Sequence, residues 1–265
     1  MKAELAAVEL DFGYPEHPVG HLVSLALAAG EVVCLLGPNG GGKTTFFKTL
    51  LGLIPRRGGQ VLLDVEELSQ LTRAEIARRV AYVPQANVGY FPFTVHEMAV
   101  MGRTAYISPF AGPSAQDRKI AMDALGRVGI THLADQPYTR ISGGERQLAL
   151  IARALAQAAP LIVMDEPTAS LDFGNQSRVL AVVRELAAQG TGVLFATHDP
   201  DHAFAIADRV AIFHDGRLMA DGPPRLTITP DALRTVYGIE VDVVDVATPG
   251  GMQRVCLPRG RTAAH

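Results

Sequence analysis

Cysteine is scarce: the chain has two in 265 residues. Cys34 and Cys256 stand far apart, in neither a metal nor a redox spacing. That excludes a disulfide scaffold or a zinc ribbon and points to free thiols in a reducing compartment. A basic surplus is missing as well. Lys plus Arg total 24 against 27 for Asp plus Glu, a net charge of -3, where a nucleic-acid binder would show the opposite balance. No apolar run approaches the length of a membrane span; the longest, "VVCLL" and "LIVM", suit buried strands. Glu4 and Glu9 interrupt the N-terminus where a signal peptide needs an unbroken apolar core. The expectation is a chain that works in the cytosol or is held on a membrane by a partner. There is no fixed-period repeat and no low-complexity tract. What is abundant is core material: 48% of residues are hydrophobic, which excludes disorder and suits one large domain or two small ones.

The pattern along the chain changes character twice. "LAAVELDFGY" and the two halves of "HLVSLALAAGEVVCLLG" read as strands, with a turn at Gly30. "VVCLL" is continuously apolar, as a strand buried on both faces must be. A Gly-rich turn, a helix over "KTTFFKTLLGLI" and a strand over "GGQVLLDV" follow. "TRAE" and "TVHE" each fit a capping box that opens a helix, with the strand "VAYVPQ" between them. From about residue 87 to 158 the pattern is helical, broken at "SPFAGPS" and "ADQPY". Strands alternating with helices then resume at "PLIVMDEP", "GVLFATHD" and "RVAIFHDGRLM". Such alternation indicates an α/β core with a mainly parallel sheet. The tail holds strand-like "IEVDVVDV" and "MQRVCL" and then an end expected to fray.

Two motifs carry phosphate chemistry. "GPNGGGKTT" runs Gly37, Pro38, Asn39, Gly40, Gly41, Gly42, Lys43, Thr44, Thr45. It contains G-x-x-x-x-G-K-T between a buried strand and a helix, the context that a phosphate-binding P-loop requires. Glycines permit the tight turn and the close approach of backbone N–H groups to phosphate oxygens, and the helix N-terminus adds its dipole. Lys43 would reach the β- and γ-phosphates, and Thr44 would ligate Mg²⁺. An ordinary Gly-rich turn is the competing reading, and lysine and hydroxyl together outweigh it. In "LIVMDEP", Asp165 ends an apolar strand, where it can hold Mg²⁺ through water, and Glu166 could polarise the attacking water. Alone, this pair would read as two solvated acids at a strand end; beside a phosphate loop it reads as the second half of the site.

"ISGGERQ" sharpens the resemblance. Ser142 to Gln147, lying between the phosphate loop and "DEP", resemble the signature motif of ATP-binding cassette (ABC) proteins. Ile141 stands where Leu is more usual, and Gly41 where Ser, Ala or Cys is commoner. Gly143 and Gly144 open a helix at a cost of about 0.8–1 kcal/mol each relative to alanine, while Ser142 and Glu145 have capping-box spacing. A capped helix start is also an anion site, so the two readings are compatible. Further elements match that family: Gln85 in "YVPQ" its Q-loop, "ASLD" to Asp172 its D-loop, and His198 in "LFATHD" its switch histidine. Tyr14 fits the aromatic that stacks on adenine, with Phe12 as rival. His198 and His202 stand four apart, but Pro200 intervenes and no zincin glutamate is present, so metal binding there is discounted.

The resemblance covers about Leu5 to Val244 and implies a P-loop NTPase core with a mainly parallel sheet. It adds an N-terminal antiparallel β subdomain and an inserted helical subdomain. On this expectation one ABC ATPase domain spans 1–240, with a nucleotide-binding core at 1–86 and 159–240, a helical subdomain at about 87–158, and a short extension at 241–265. "TVHEMAVMGRTAYISPFAGPSAQD" and "ALRTVYGIEVDVV" resemble the ATPases of importers for iron–siderophore, haem and cobalamin and, in some members, molybdate or tungstate. The family works as head-to-tail pairs. ATP with Mg²⁺ would meet Lys43, Gln85, Asp165, Glu166 and His198 of one copy and Ser142, Gly143 and Gly144 of the other, with Asp172 of the D-loop also among the nucleotide-binding residues. Implied partners are a second copy, separate permease subunits and, indirectly, an external substrate-binding protein, at the cytoplasmic face of the membrane and without nucleic acid. A soluble ABC ATPase of DNA repair or translation would carry a coiled-coil insertion or two cassettes. A GTPase-type switch would need Asn-Lys-x-Asp, and no Asn here precedes Lys.

Overall fold

The computed structural model describes residues 4–85, 92–108, 110–169 and 171–259. In chain order the elements are β1 (Glu4–Tyr14), β2 (His17–Ala28), β3 (Val32–Leu36), α1 (Lys43–Leu50), β4 (Gly58–Leu63), β5 (Glu66–Glu67), α2 (Arg73–Arg79) and β6 (Val80–Val83). Next come α3 (Val95–Val100), α4 (Ala115–Arg127), α5 (Gly143–Gln157), β7 (Leu161–Asp165), α6 (Phe173–Ala188), β8 (Gly192–Thr197) and α7 (Pro200–Ile206). The chain finishes with β9 (Arg209–His214), β10 (Arg217–Gly222), α8 (Pro224–Thr227), α9 (Pro230–Tyr237), β11 (Val241–Thr248) and β12 (Gly251–Pro258).

The central sheet has the order β10-β9-β3-β8-β7-β6. Its strands are parallel except for the β9–β10 hairpin. The apolar runs are explained by burial on both faces. Val32, Cys34 and Leu36 of β3 enter one buried cluster, with Ile162 and Met164 of β7 and Val193 and Phe195 of β8. Val33 and Leu35, with Leu161, Val163, Leu194 and Ala196, enter the other. A period of two divides each strand between two cores, so positions of both parities are apolar up to the strand ends, where Asp165 and Thr197 stand.

The second cluster is closed by an antiparallel sheet of order β2-β1-β4-β5, with Phe46 and Phe47 of α1 among its buried members. The first is closed by helices, with residues of α3, α4, α5, α6, α7 and α9 among its buried members. This is the mixed architecture that the alternation predicts. Both anticipated capping boxes form, Thr72 with Glu75 and Thr94 with Glu97. Among the described residues no helix is long and apolar enough to cross a membrane.

Two features differ from the sequence reading. "RVAIFHDGRLM" is a hairpin rather than one strand, because Asp215 and Gly216 take φ of 47° and 73°. Two consecutive left-handed residues form the reversing turn that joins twisted antiparallel strands. The helix over "KTTFFKTLLGLI" stops at Leu50, where the chain turns through left-handed Gly52 at φ 63°. The strand-like tail is borne out, β11 and β12 pairing antiparallel from Val241 to Pro258, and the end expected to fray, from residue 260, lies outside the described residues. The start of the helical segment near residue 87, Pro109 of its first break and Ser170 of "ASLD" lie outside the described residues.

Candidate functional site

The site begins where β3 leaves the sheet. The chain turns through Gly37 to Gly42 and enters α1 at Lys43. Gly40 and Gly42 take φ of 76° and 98°, a region that penalises any side chain. At Gly42 a Cβ would also fall 2.4 Å from Val19 Cγ1. At Gly37 it would fall 2.4 Å from the Phe213 carbonyl oxygen. Gly41 has no left-handed φ, and a Cβ there would stand 3.1 Å from the Pro38 carbonyl oxygen. A small residue could replace it with a slight shift, so this glycine is not demanded by the backbone.

α1 has no side-chain N-cap and no acid in its first turn. Its first N–H groups are therefore open to an anion, with the helix dipole behind them. Lys43 is 4% exposed. Its Nζ donates to the carbonyls of Gly37 at 2.8 Å and Pro38 at 2.9 Å and lies 3.2 Å from Glu166 Oε1. A cavity of about 350 Å³ opens here, lined by Asn39, Gly40, Gly41, Gly42, Lys43, Thr44, Thr45, Gln85 and Glu166. Gln85, two residues beyond β6, is exposed.

The acidic pair splits by environment. Asp165 ends β7 and is 2% exposed. Burial pushes its carboxyl up, while a hydrogen bond with the Thr44 hydroxyl pulls the other way. Its Oδ2 is buried with no hydrogen-bond partner. A buried, unpaired carboxylate oxygen beside a hydroxyl is a donor set that fits a hard divalent cation such as magnesium. Glu166 takes φ of 46°, an uncommon conformation for a side chain this long. Its carboxylate spans Lys43 on one oxygen and His198 Nδ1 on the other, the latter at 3.3 Å. Lys43, Glu166 and His198 thus form a continuous chain of polar contacts across the ends of β3, β7 and β8.

Other sequence-predicted residues stand apart from that cavity. Ser142 is the N-cap of α5: its Oγ accepts from Glu145 N–H at 3.3 Å, and its N–H donates to Glu145 Oε2 at 2.7 Å. Ser142, Gly143 and Gly144 are not among the cavity's lining residues. Asp172 caps α6, with its Oδ1 accepting from Asn175 N–H at 2.8 Å. Tyr14 is 47% exposed while Phe12 is 0% exposed, its ring packed on Phe46 and Phe213. Of the two, Tyr14 is the one with exposed surface on which a base could stack.

Sequence reasoning missed Thr168, the C-terminal contacts and the work of His202. The His202 ring bridges Thr168 Oγ1, at 3.3 Å from Nδ1, and Asp199 Oδ2, at 3.5 Å from Nε2. Tyr237 reaches His198 from α9. No local signal reveals partners so distant along the chain.

Comparisons with known proteins agree with one another. The family model described as "ABC transporter" matches residues 21–169. An uncharacterised ABC transporter ATP-binding protein of Haemophilus influenzae is 41% identical over 88% of this chain and 89% of its own length. A hemin import ATP-binding protein, HmuV, of Nocardia farcinica is 40% identical over 89% of this chain and 81% of its own. The cobalamin import ATP-binding protein BtuD of Halobacterium salinarum is 39% identical over 91% of this chain and 61% of its own. Among solved structures, a transporter provisionally assigned to the metal-chelate type, in an inward-facing conformation, superposes with a TM-score of 0.86. It is 30% identical, with full coverage of both chains. An ATP-binding cassette dimer holding ADP and Pi after hydrolysis superposes at 0.73, 25% identical over 83% of this chain and 99% of its own.

Proposed function

This chain belongs to the ABC transporter family, and on that premise we propose that it is the ATP-hydrolysing subunit of a metal-chelate importer. The chain is an ATPase of the ABC type. The cargo class we assign is iron–siderophore, haem or cobalamin, carried through separate permease subunits at the cytoplasmic face of the membrane. Relatives named for hemin and cobalamin import support that assignment. We divide the chain into a nucleotide-binding core at 1–86 and 159–240, a helical subdomain at about 87–158 and an extension at 241–265.

The observation that carries the reading is the Lys43–Glu166–His198 contact chain at the uncapped start of α1. Phosphate oxygens of ATP would replace the two carbonyls and the Glu166 carboxylate that now surround the Lys43 ammonium, so that neutral acceptors give way to anions and the glutamate is freed. Adenine would stack on Tyr14. Asp165, Thr44 and Gln85 would hold magnesium, which supplies charge neutralisation on the phosphates. Glu166, released from Lys43, would accept the proton of the attacking water or orient it. His198 would donate to the γ-phosphate, and Gln85 would relay its presence to the permease.

The signature residues lie outside the phosphate cavity of their own chain. We assign them, with the Asp172 loop, to the ATP bound by a second copy in a head-to-tail pair. ATP then closes the pair because only its γ-phosphate meets both halves, and hydrolysis releases it. The test is to purify the chain with its permease and measure ATP hydrolysis with candidate binding proteins loaded with iron–siderophore, haem or cobalamin. Stimulation by one loaded binding protein is expected; recovery with no membrane protein at all overturns the importer reading.

A further inference from the structure

His198 sits in the short link between β8 and α7, and its imidazole is 45% exposed. Exposed links are mobile unless their backbone groups are tied down. Part of this tie is local: Asp199 N–H donates to Thr197 Oγ1 at 3.1 Å, and Asp201 N–H donates to Asp199 Oδ1 at 2.9 Å. The rest comes from the C-terminal part of the chain. The Tyr237 hydroxyl donates to the His198 carbonyl at 3.0 Å. The Cys256 N–H donates to Asp201 Oδ1 at 2.8 Å. Both ends of residues 198–201 are thus held by elements that follow the nucleotide-site motifs in sequence.

The mount for Tyr237 is firm. It is the last residue of α9, which Thr229 caps at one end and left-handed Gly238 closes at the other. Leu233 and Val236 of the same helix are 1% and 6% exposed, and the Tyr237 ring packs against the main buried cluster. Burial pushes the phenol's pKa well above its ordinary range, so the hydroxyl stays a donor.

We propose that Tyr237 is a positioning residue for ATP hydrolysis: by holding the His198 carbonyl it sets where the imidazole meets the γ-phosphate. The inference rests on the reading of His198 given above. The physical argument is pre-organisation. A side chain that must meet developing charge is useful only within a narrow range of positions, and small displacements there reduce rate rather than affinity. ATP affinity is set elsewhere, by the glycine-rich loop and Lys43. A hydroxyl fixing one carbonyl should therefore act on kcat and leave KM alone.

The experiment compares Tyr237→Phe, His198→Ala and the double variant in the full-length chain, with kcat and KM for ATP and the melting temperature. Tyr237→Phe keeps the ring and its packing. Loss of one hydrogen bond predicts a fall in kcat of about three- to tenfold, with KM for ATP within about twofold. In the His198→Ala background the same change should have no further effect on kcat, because the group it positions is gone. Wild-type kcat in Tyr237→Phe overturns the inference alone, provided His198→Ala is damaged. An equal fold-loss in both backgrounds also overturns it, since Tyr237 would then act through general structure. Full turnover in His198→Ala overturns the reading of His198 and the inference with it.

Discussion

α1 and α5 both start at glycines, yet their first turns are built in opposite ways. α1 has no side-chain cap and no acid in its first turn, and buried Lys43 stands at its head. α5 has a complete capping box from Ser142 and Glu145. The glycines differ too. A Cβ at Gly42 would collide with Val19, and the backbone there is left-handed. A Cβ at Gly143 would meet only Arg146 Nη2, at 3.9 Å, an ordinary contact. The chain's own packing demands glycine at 42 and does not demand it at 143. The first helix start is a site that its own chain leaves open. The second is satisfied within its chain, and nothing in the packing around it requires glycine there.

The comparison can be broken at four points. Glu166→Gln removes the carboxylate beside the open helix start but keeps its shape. Turnover should fall about a hundredfold or more, with ATP binding retained and a dimer accumulating in gel filtration with ATP; near-normal hydrolysis removes Glu166 from its role. Lys43→Ala should weaken ATP binding about thirtyfold or more, the scale for removing one member of a buried, hydrogen-bonded charge contact. Unchanged affinity by calorimetry would count against the open start as the phosphate site. Gly143→Ala should leave the isolated chain as stable or up to about 1 kcal/mol more stable, because alanine is the better helix former. ATP binding by the monomer should be retained while turnover drops about tenfold. Parallel loss of monomer stability would show that Gly143 serves its own chain after all.

The last point concerns Asp165 and the stability of the nucleotide-free chain. Its carboxyl titrates above the ordinary range through burial, and one oxygen has no partner. A raised folded-state pKa means that the charged form destabilises the nucleotide-free fold. Asp165→Asn should therefore raise the melting temperature without nucleotide by a few degrees, about 1 kcal/mol on the scale of a buried unsatisfied group. That gain is fully present above the raised pKa and disappears as pH falls toward the unfolded value. The same variant should lose magnesium-dependent hydrolysis. A lower melting temperature at neutral pH would mean that the carboxylate is already satisfied.

What the sequence determined by itself is local in origin. The buried strands β3, β7 and β8 are legible because burial on both faces makes their interior positions continuously apolar, with polar residues only at the ends of β7 and β8. The capping boxes at Thr72, Thr94 and Ser142 are legible because donor and acceptor stand three residues apart. The phosphate loop is legible because glycine, lysine and threonine must follow a strand in fixed order. Only the tertiary structure decided that Phe12 is core and Tyr14 exposed, since both lie on β1 and their difference is set by Phe46 and Phe213. It also decided that Asp165 keeps one oxygen unpaired while Glu166 is paired on both, and that Tyr237 reaches back to His198. These outcomes depend on which surfaces pack together, and residues far apart in the chain share no periodicity by which one could announce the other.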